Sequence, residues 1–142
     1  EAVALSPDGR WIAYQSDETG RTEIFVRPFP DTDAGKRQVS SGGGIAPLWS
    51  RDGRELFYLS GGDDMMAVRV APGAPLDIGD PALLFHVRRE LLAPEATWYT
   101  PWDVAADGRF LMVRGAGGDE GEPGAIVVAE HWVEELRAKM RR

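Results

Sequence analysis

Few side chains in this sequence could do chemistry, and they are regularly spaced. Asp8, Asp52 and Asp107 each open an Asp-Gly-Arg triplet, at intervals of 44 and 55 residues (52 − 8 and 107 − 52). Three repeated carboxylates would make an acidic cluster if the fold brought them together. An aspartate before glycine, however, is first of all a turn residue, because its short side chain accepts backbone N–H groups nearby. The three are read as turn chemistry. Asp31-Thr32-Asp33-Ala34-Gly35 begins like a calcium loop. It has Gly35 at the fifth position and Gly42 at the twelfth, where a bidentate glutamate belongs, so no metal site is expected. Ser41-Gly42-Gly43-Gly44 could offer N–H groups to a phosphate, but no lysine follows in P-loop spacing. It is read as a connection between structural units. In Gly115–Gly124 the spacing Gly-x-Gly-x-x-Gly fails because Glu120 holds the last position, so a solvated hairpin loop is expected there and no cofactor.

Nucleophilic chemistry has little to draw on. There is no Gly-x-Ser-x-Gly elbow, no cysteine and no asparagine. The only histidines are His86, on an expected outer strand, and His131, at an expected strand–helix junction. The chain is therefore read as having no catalytic residues of its own. Its net charge of −7 argues against duplex nucleic acid as a partner, because such binding needs a basic surface that releases counterions. No apolar run reaches the length of a bilayer crossing, so no membrane insertion by this segment is expected. The sequence opens on Glu1 without a leader pattern and is read as a piece of something longer.

The elements that would position these residues follow from the repeat. Each Asp-Gly-Arg triplet has a short apolar segment ahead of it: Val3-Ala4-Leu5, Ala46-Pro47-Leu48-Trp49 and Trp102-Asp103-Val104. Behind it stand Trp11-Ile12-Ala13-Tyr14, Glu55-Leu56-Phe57-Tyr58 and Phe110-Leu111-Met112-Val113, runs rich in aromatic and aliphatic residues. A further run follows in each unit, at Thr22–Val26, Met65–Val70 and Ala125–Val128. Asp-Gly predicts a two-residue type I′ hairpin, with positive φ at both positions. Outer strands are predicted at Arg37–Ser40 and Pro81–Val87. Pro81–Ala93 is read as strand then loop, the alternative being a helix with Leu83, Leu84, Val87 and Leu91 on one side. A unit of 40–45 residues with four antiparallel strands is the pattern of a propeller blade. Near the C-terminus, Trp132, Val133, Leu136 and Met140 share one helical face, with Glu134 and Glu135 in the first turn and basic residues in the last.

The segments Leu5–Ser16 and Leu48–Tyr58 resemble TolB-type, WD40-like propeller repeats. Ile24-Phe25-Val26-Arg27-Pro28-Phe29-Pro30, Ser41-Gly42-Gly43-Gly44, Met65-Met66-Ala67-Val68 and Trp132-Val133-Glu134-Glu135-Leu136 are similar to the C-terminal blades of bacterial receptor-like serine/threonine kinases. That resemblance implies a sensor or scaffold segment on the extracytoplasmic side. No kinase motif is present in the chain itself.

The expected fold is all-β: a partial propeller of three four-stranded blades at about 2–41, 42–97 and 98–131, the last incomplete, and a short C-terminal helix at about 132–141. Three blades do not close a ring, so a second copy closing six, or further blades upstream, is expected. Trp98, Tyr99 and Trp102 cluster at the entrance to the third blade and are the candidate binding residues, with core packing as the competing reading. The expected function is non-catalytic binding or sensing. The alternatives are a propeller gating a prolyl-oligopeptidase-type or amidohydrolase-linked hydrolase, and a TolB-like periplasmic protein-interaction scaffold.

Overall fold

A computed structural model describes residues 2–71, 76–87, 100–113 and 126–129. The strands fall into three antiparallel sheets. The first contains β1 (Val3–Leu5), β2 (Trp11–Ser16), β3 (Glu23–Pro28) and β4 (Arg37–Gln38), in that order. The second contains β5 (Gly44–Trp49), β6 (Glu55–Ser60), β7 (Asp64–Ala71), β8 (Asp77–Ile78) and β9 (Ala82–His86). The third contains β10 (Trp102–Val104), β11 (Phe110–Val113) and β12 (Ile126–Ala129). The predicted second blade differs from the regular pattern in having five strands. Its outer edge is shared: β9 pairs with the first half of β7 and β8 with the second. Pro81–Val87 is thus strand at its centre. Residues 88–93 and the predicted helix at 132–141 lie outside the described residues.

The second sheet is apolar on both faces, and period-two alternation sorts its side chains. Leu56, Tyr58, Val68 and Val70 face the first sheet and pack with its Ala13, Ile24 and Val26 and with Trp49 of β5. Phe57, Leu59, Met65 and Ala67 face the other way, into a second core with Trp102, Val104, Phe110 and Met112. One sheet thus seals two separate cores. Burying each large side chain contributes roughly 1.5–3 kcal/mol.

The Asp-Gly turns are not of the predicted type. Positive φ occurs at Gly9, Gly53 and Gly108, at 71°, 70° and 87°, and not at the aspartates before them. The N–H of Gly9 donates to the Ser6 carbonyl at 2.9 Å and that of Gly53 to the Ser50 carbonyl at 2.9 Å. These are i→i+3 turns, with Pro7 at the position where its fixed φ suits the bend. Serine closes the first two. The Ser6 hydroxyl accepts the Trp11 N–H and that of Ser50 the Glu55 N–H, each at 2.9 Å. The Ser6 N–H in turn reaches the Trp11 carbonyl and the Ser50 N–H that of Glu55, leaving four residues in each loop.

The third turn has Ala105 in place of serine, and its register differs. The Ala105 N–H pairs with the Arg109 carbonyl at 2.8 Å, so the loop is one residue shorter. Val104 therefore sits opposite Phe110, whereas Leu5 and Trp49 sit opposite Ile12 and Leu56, which align with Leu111. A one-residue slip exchanges the faces of a strand. Phe110 and Met112 consequently point into the second core and Leu111 is 45% exposed.

Candidate functional site

The seam between the first two sheets carries polar groups at both ends. At one end stand the two serine-closed turns, with Pro7 packed against Gly53. Between them lies a recess of about 120 Å³, lined by Ser6, Asp8, Trp11, Trp49, Asp52, Gly53, Val70 and Leu76. The Asp8 carboxylate accepts the Ser6 hydroxyl at 2.6 Å and the Arg10 N–H at 3.1 Å. Asp52 does the same with Ser50 at 2.7 Å and Arg54 at 3.1 Å. The serine hydroxyl first, then the backbone N–H, holds each carboxyl below the usual range. Both are turn residues as predicted, and both also form the rim of the recess. The Trp49 indole N–H donates to the Ala4 carbonyl at 3.1 Å, which fixes that wall across the two sheets.

At the other end, Glu23 begins β3 and is 4% exposed. Its Oε1 accepts the N–H groups of Gly42 and Gly43, each at 3.0 Å. Its Oε2 accepts the Ser40 hydroxyl, which itself accepts the Ile24 N–H at 2.8 Å. Burial opposes the charged form, but the hydrogen bonds from Ser40, Gly43 and Gly42, with the Arg21 charge, outweigh it and hold Glu23 below the ordinary carboxyl value. The glycine-rich segment is thus an anion cradle filled by the chain's own carboxylate, in the connection from β4 to β5. Nearby, burial first, then the Glu23 charge, pushes the Tyr58 phenol up to about 12.

The inner strand β5 bends here. Ala46 has φ of 54°, beside a shift in the β5–β6 register between Ile45 and Leu48. Its N–H is taken by Oε1 of the buried Gln15 at 2.9 Å. Gln15 and Glu23 were missed in the sequence because each reads as an ordinary polar strand residue. The available signal was the run of glycine N–H groups, which needed an acceptor. Gly43 has φ of 105°, and a Cβ there would lie 2.9 Å from the Gly61 Cα. Gly43→Ala is therefore expected to destabilise the fold by about 1–3 kcal/mol, read as a lower urea midpoint with an unchanged slope.

The candidate binding cluster divides. Trp98 and Tyr99 lie outside the described residues. Trp102 is 4% exposed, its ring 6.4 Å from Phe57 and 5.6 Å from Phe110. It packs between the second and third sheets, and among the described residues its indole N–H has no hydrogen-bond partner. His86 Nδ1 lies 2.5 Å from Asp64 Oδ1, on a side chain that is 80% exposed. The neighbouring Ser60 hydroxyl accepts the N–H groups of Gly62 and Asp64, each at 3.2 Å, and so serves the hairpin. Among the described residues no group of three histidine or acidic side chains could hold a metal ion. No helix among them is long and apolar enough to cross a membrane.

No protein-family model matches the chain, and no curated protein matches it. Among solved structures, TolB from Acinetobacter baumannii superposes with a TM-score of 0.53 over 89% of this chain, at 16% sequence identity. The fold is a partial β-propeller of the TolB type. The three sheets are its blades, β1, β5 and β10 the first strand of each. The chain spans 28% of that neighbour's length. The likeness therefore concerns a run of blades and not the whole of TolB.

Proposed function

We propose that this run of propeller blades is a non-catalytic interaction module. One observation carries the reading: among the described residues, the buried Glu23 and the turn residues Asp8 and Asp52 each have a carboxylate oxygen engaged in holding the fold. Glu23 is held by Ser40, Gly42 and Gly43. Asp8 and Asp52 accept from their own turns. The finer reading is a sensor or scaffold segment of a receptor-like serine/threonine kinase, on the extracytoplasmic side. Its support is the resemblance of Ile24–Pro30, Ser41–Gly44 and Met65–Val68 to such blades. A parent gene without an upstream kinase domain and membrane helix removes that finer reading. Hydrolysis of peptide or ester substrates by the purified chain overturns the non-catalytic one.

The terminal blades present apolar side chains outward: Val3 is 61% exposed and Leu5 51% on the first, and Leu111 45% on the third. Interior blades of a propeller cover such faces, and closed rings have about four to eight blades. We propose that a second copy supplies the missing half. Light scattering behind size exclusion is then expected to give a mass near twice 15.6 kDa. A monomer that binds hydrophobic dye overturns closure by a second copy and assigns these faces to other blades.

A further inference from the structure

We propose that the recess between the first two Asp-Gly turns binds a guanidinium group on a short aliphatic stem. The recess has about 120 Å³ of space. A cavity of about 150 Å³ holds one benzene molecule, so this one suits a single small head group. Its walls are Trp11 and Trp49, with Val70 and Leu76. Indole faces attract a cation, and aliphatic side chains suit its stem. The Trp49 ring is held by its bond to Ala4, so this wall is in place before a ligand arrives.

The rim supplies the charge. Asp8 and Asp52 each use Oδ1 to close their turn, through the serine hydroxyl and the arginine N–H. Among the described residues, the bonds that close either turn leave Oδ2 out. The third repeat shows what that oxygen takes. There Asp107 accepts the Arg109 N–H on Oδ1 at 3.2 Å and the Arg109 guanidinium Nε on Oδ2 at 2.9 Å. The same turn thus already holds a guanidinium on its outer carboxylate oxygen. In the first two repeats Arg10 and Arg54 are exposed, and among the described residues neither forms an ion pair with its aspartate. The Arg10 and Arg54 charges still act on Asp8 and Asp52 from a distance, but without the direct guanidinium bond of the third turn, so two carboxylates border one aromatic recess.

This inference rests on the reading of the chain as a binding module, but its test is separable. The recess lies between two sheets of one chain and is present whether or not a second copy closes the ring. The probe is n-butylguanidinium, titrated into the purified chain while the indole N–H signals are followed by NMR. Saturable shifts of Trp11 and Trp49 are expected, with binding about tenfold weaker for neutral n-butylurea and weakened by added salt. The double variant Asp8→Asn/Asp52→Asn keeps a side-chain oxygen for each turn. It is expected to bind about tenfold more weakly without a matching loss of melting temperature. Equal binding of the urea, indifference to salt, or full binding by a folded double variant overturns the proposal. If the double variant does not fold, the comparison of urea with guanidinium on the unaltered chain still decides. Blocked arginine amide is the second arm. Tighter binding than butylguanidinium identifies the source as a protein-borne arginine, and weaker binding identifies a free cation; both support the guanidinium assignment.

Discussion

Glu23→Ala is expected to destabilise the protein by about 3–5 kcal/mol. The alanine leaves the N–H groups of Gly42 and Gly43 and the Ser40 hydroxyl without their acceptor. The Gly43 N–H and the Ser40 hydroxyl are buried, and each stranded buried donor costs about 1–3 kcal/mol; the part-buried Gly42 N–H adds less. A domain of this size has only about 5–15 kcal/mol in total, so the loss is a large fraction of its stability. The readout is the urea midpoint, with the slope unchanged if the unfolding remains cooperative. A loss below about 1 kcal/mol would mean that water replaces the carboxylate and that the cradle is not a structural lock.

Glu23→Gln separates charge from hydrogen bonding. Its Oε1 still accepts the two glycine N–H groups, while its Nε2 can donate to the Ser40 oxygen. A smaller loss, about 1–2 kcal/mol, follows from exchanging a charged acceptor for a neutral one. The acid limb of stability distinguishes the two proteins further. Glu23 titrates below its ordinary value of 4.5 in the fold. Its contribution is therefore complete above the unfolded-state value and lost as pH falls through the folded one. Asp8 and Asp52, also lowered, act with the same sign. The parent should thus weaken below about pH 4.5 more steeply than Glu23→Gln, because the variant has already lost one of those linked protons.

The strands were legible because alternation and Gly-rich punctuation agree along most of the chain. Val3-Ala4-Leu5, Trp102-Asp103-Val104 and Met65–Val70 form strands where their apolar character places them. The cradle around Glu23 was not legible in the same way. Its partners are 17 to 20 residues further on, and nothing local distinguishes a glutamate that will accept two glycine N–H groups from one that faces water. The candidate recess was half visible: the aspartates and their turns repeat openly, but its Trp11 and Trp49 walls meet only when two sheets pack. The turn type was misread because Asp-Gly alone suggests positive φ at both positions. The serine hydroxyl and Pro7 favour a longer loop that needs it only at glycine. Nor did the gapless alignment of the three triplets disclose the third register, because one missing hydroxyl, Ser to Ala105, changes the pairing without changing the spacing.

That third register makes the sharpest pair of expectations. Phe110→Ala should cost about 3–5 kcal/mol, the usual range for emptying a fully buried aromatic site. Phe110 has no exposed surface and lies edge-on to Phe57 at 5.1 Å and to Phe85 at 5.4 Å. The ring links the third sheet to the second, whereas Ala13, Ile24 and Val26 belong to the other core. Hydrogen exchange should accordingly accelerate across Trp102–Val113 before it does so across β2 and β3, since among the described residues the two cores lie on opposite faces of the middle sheet. Leu111→Ala is the companion measurement. At 45% exposure it should cost less than about 1 kcal/mol, within the range of surface substitutions. The register followed by the first two repeats would reverse the order, because Leu111 would then take the buried place of Leu56 and Phe110 would turn outward. A larger loss for Leu111→Ala than for Phe110→Ala would therefore show that the third sheet pairs like the others. The assigned role of Ala105, shortening the turn by withholding a hydroxyl, would fall with it.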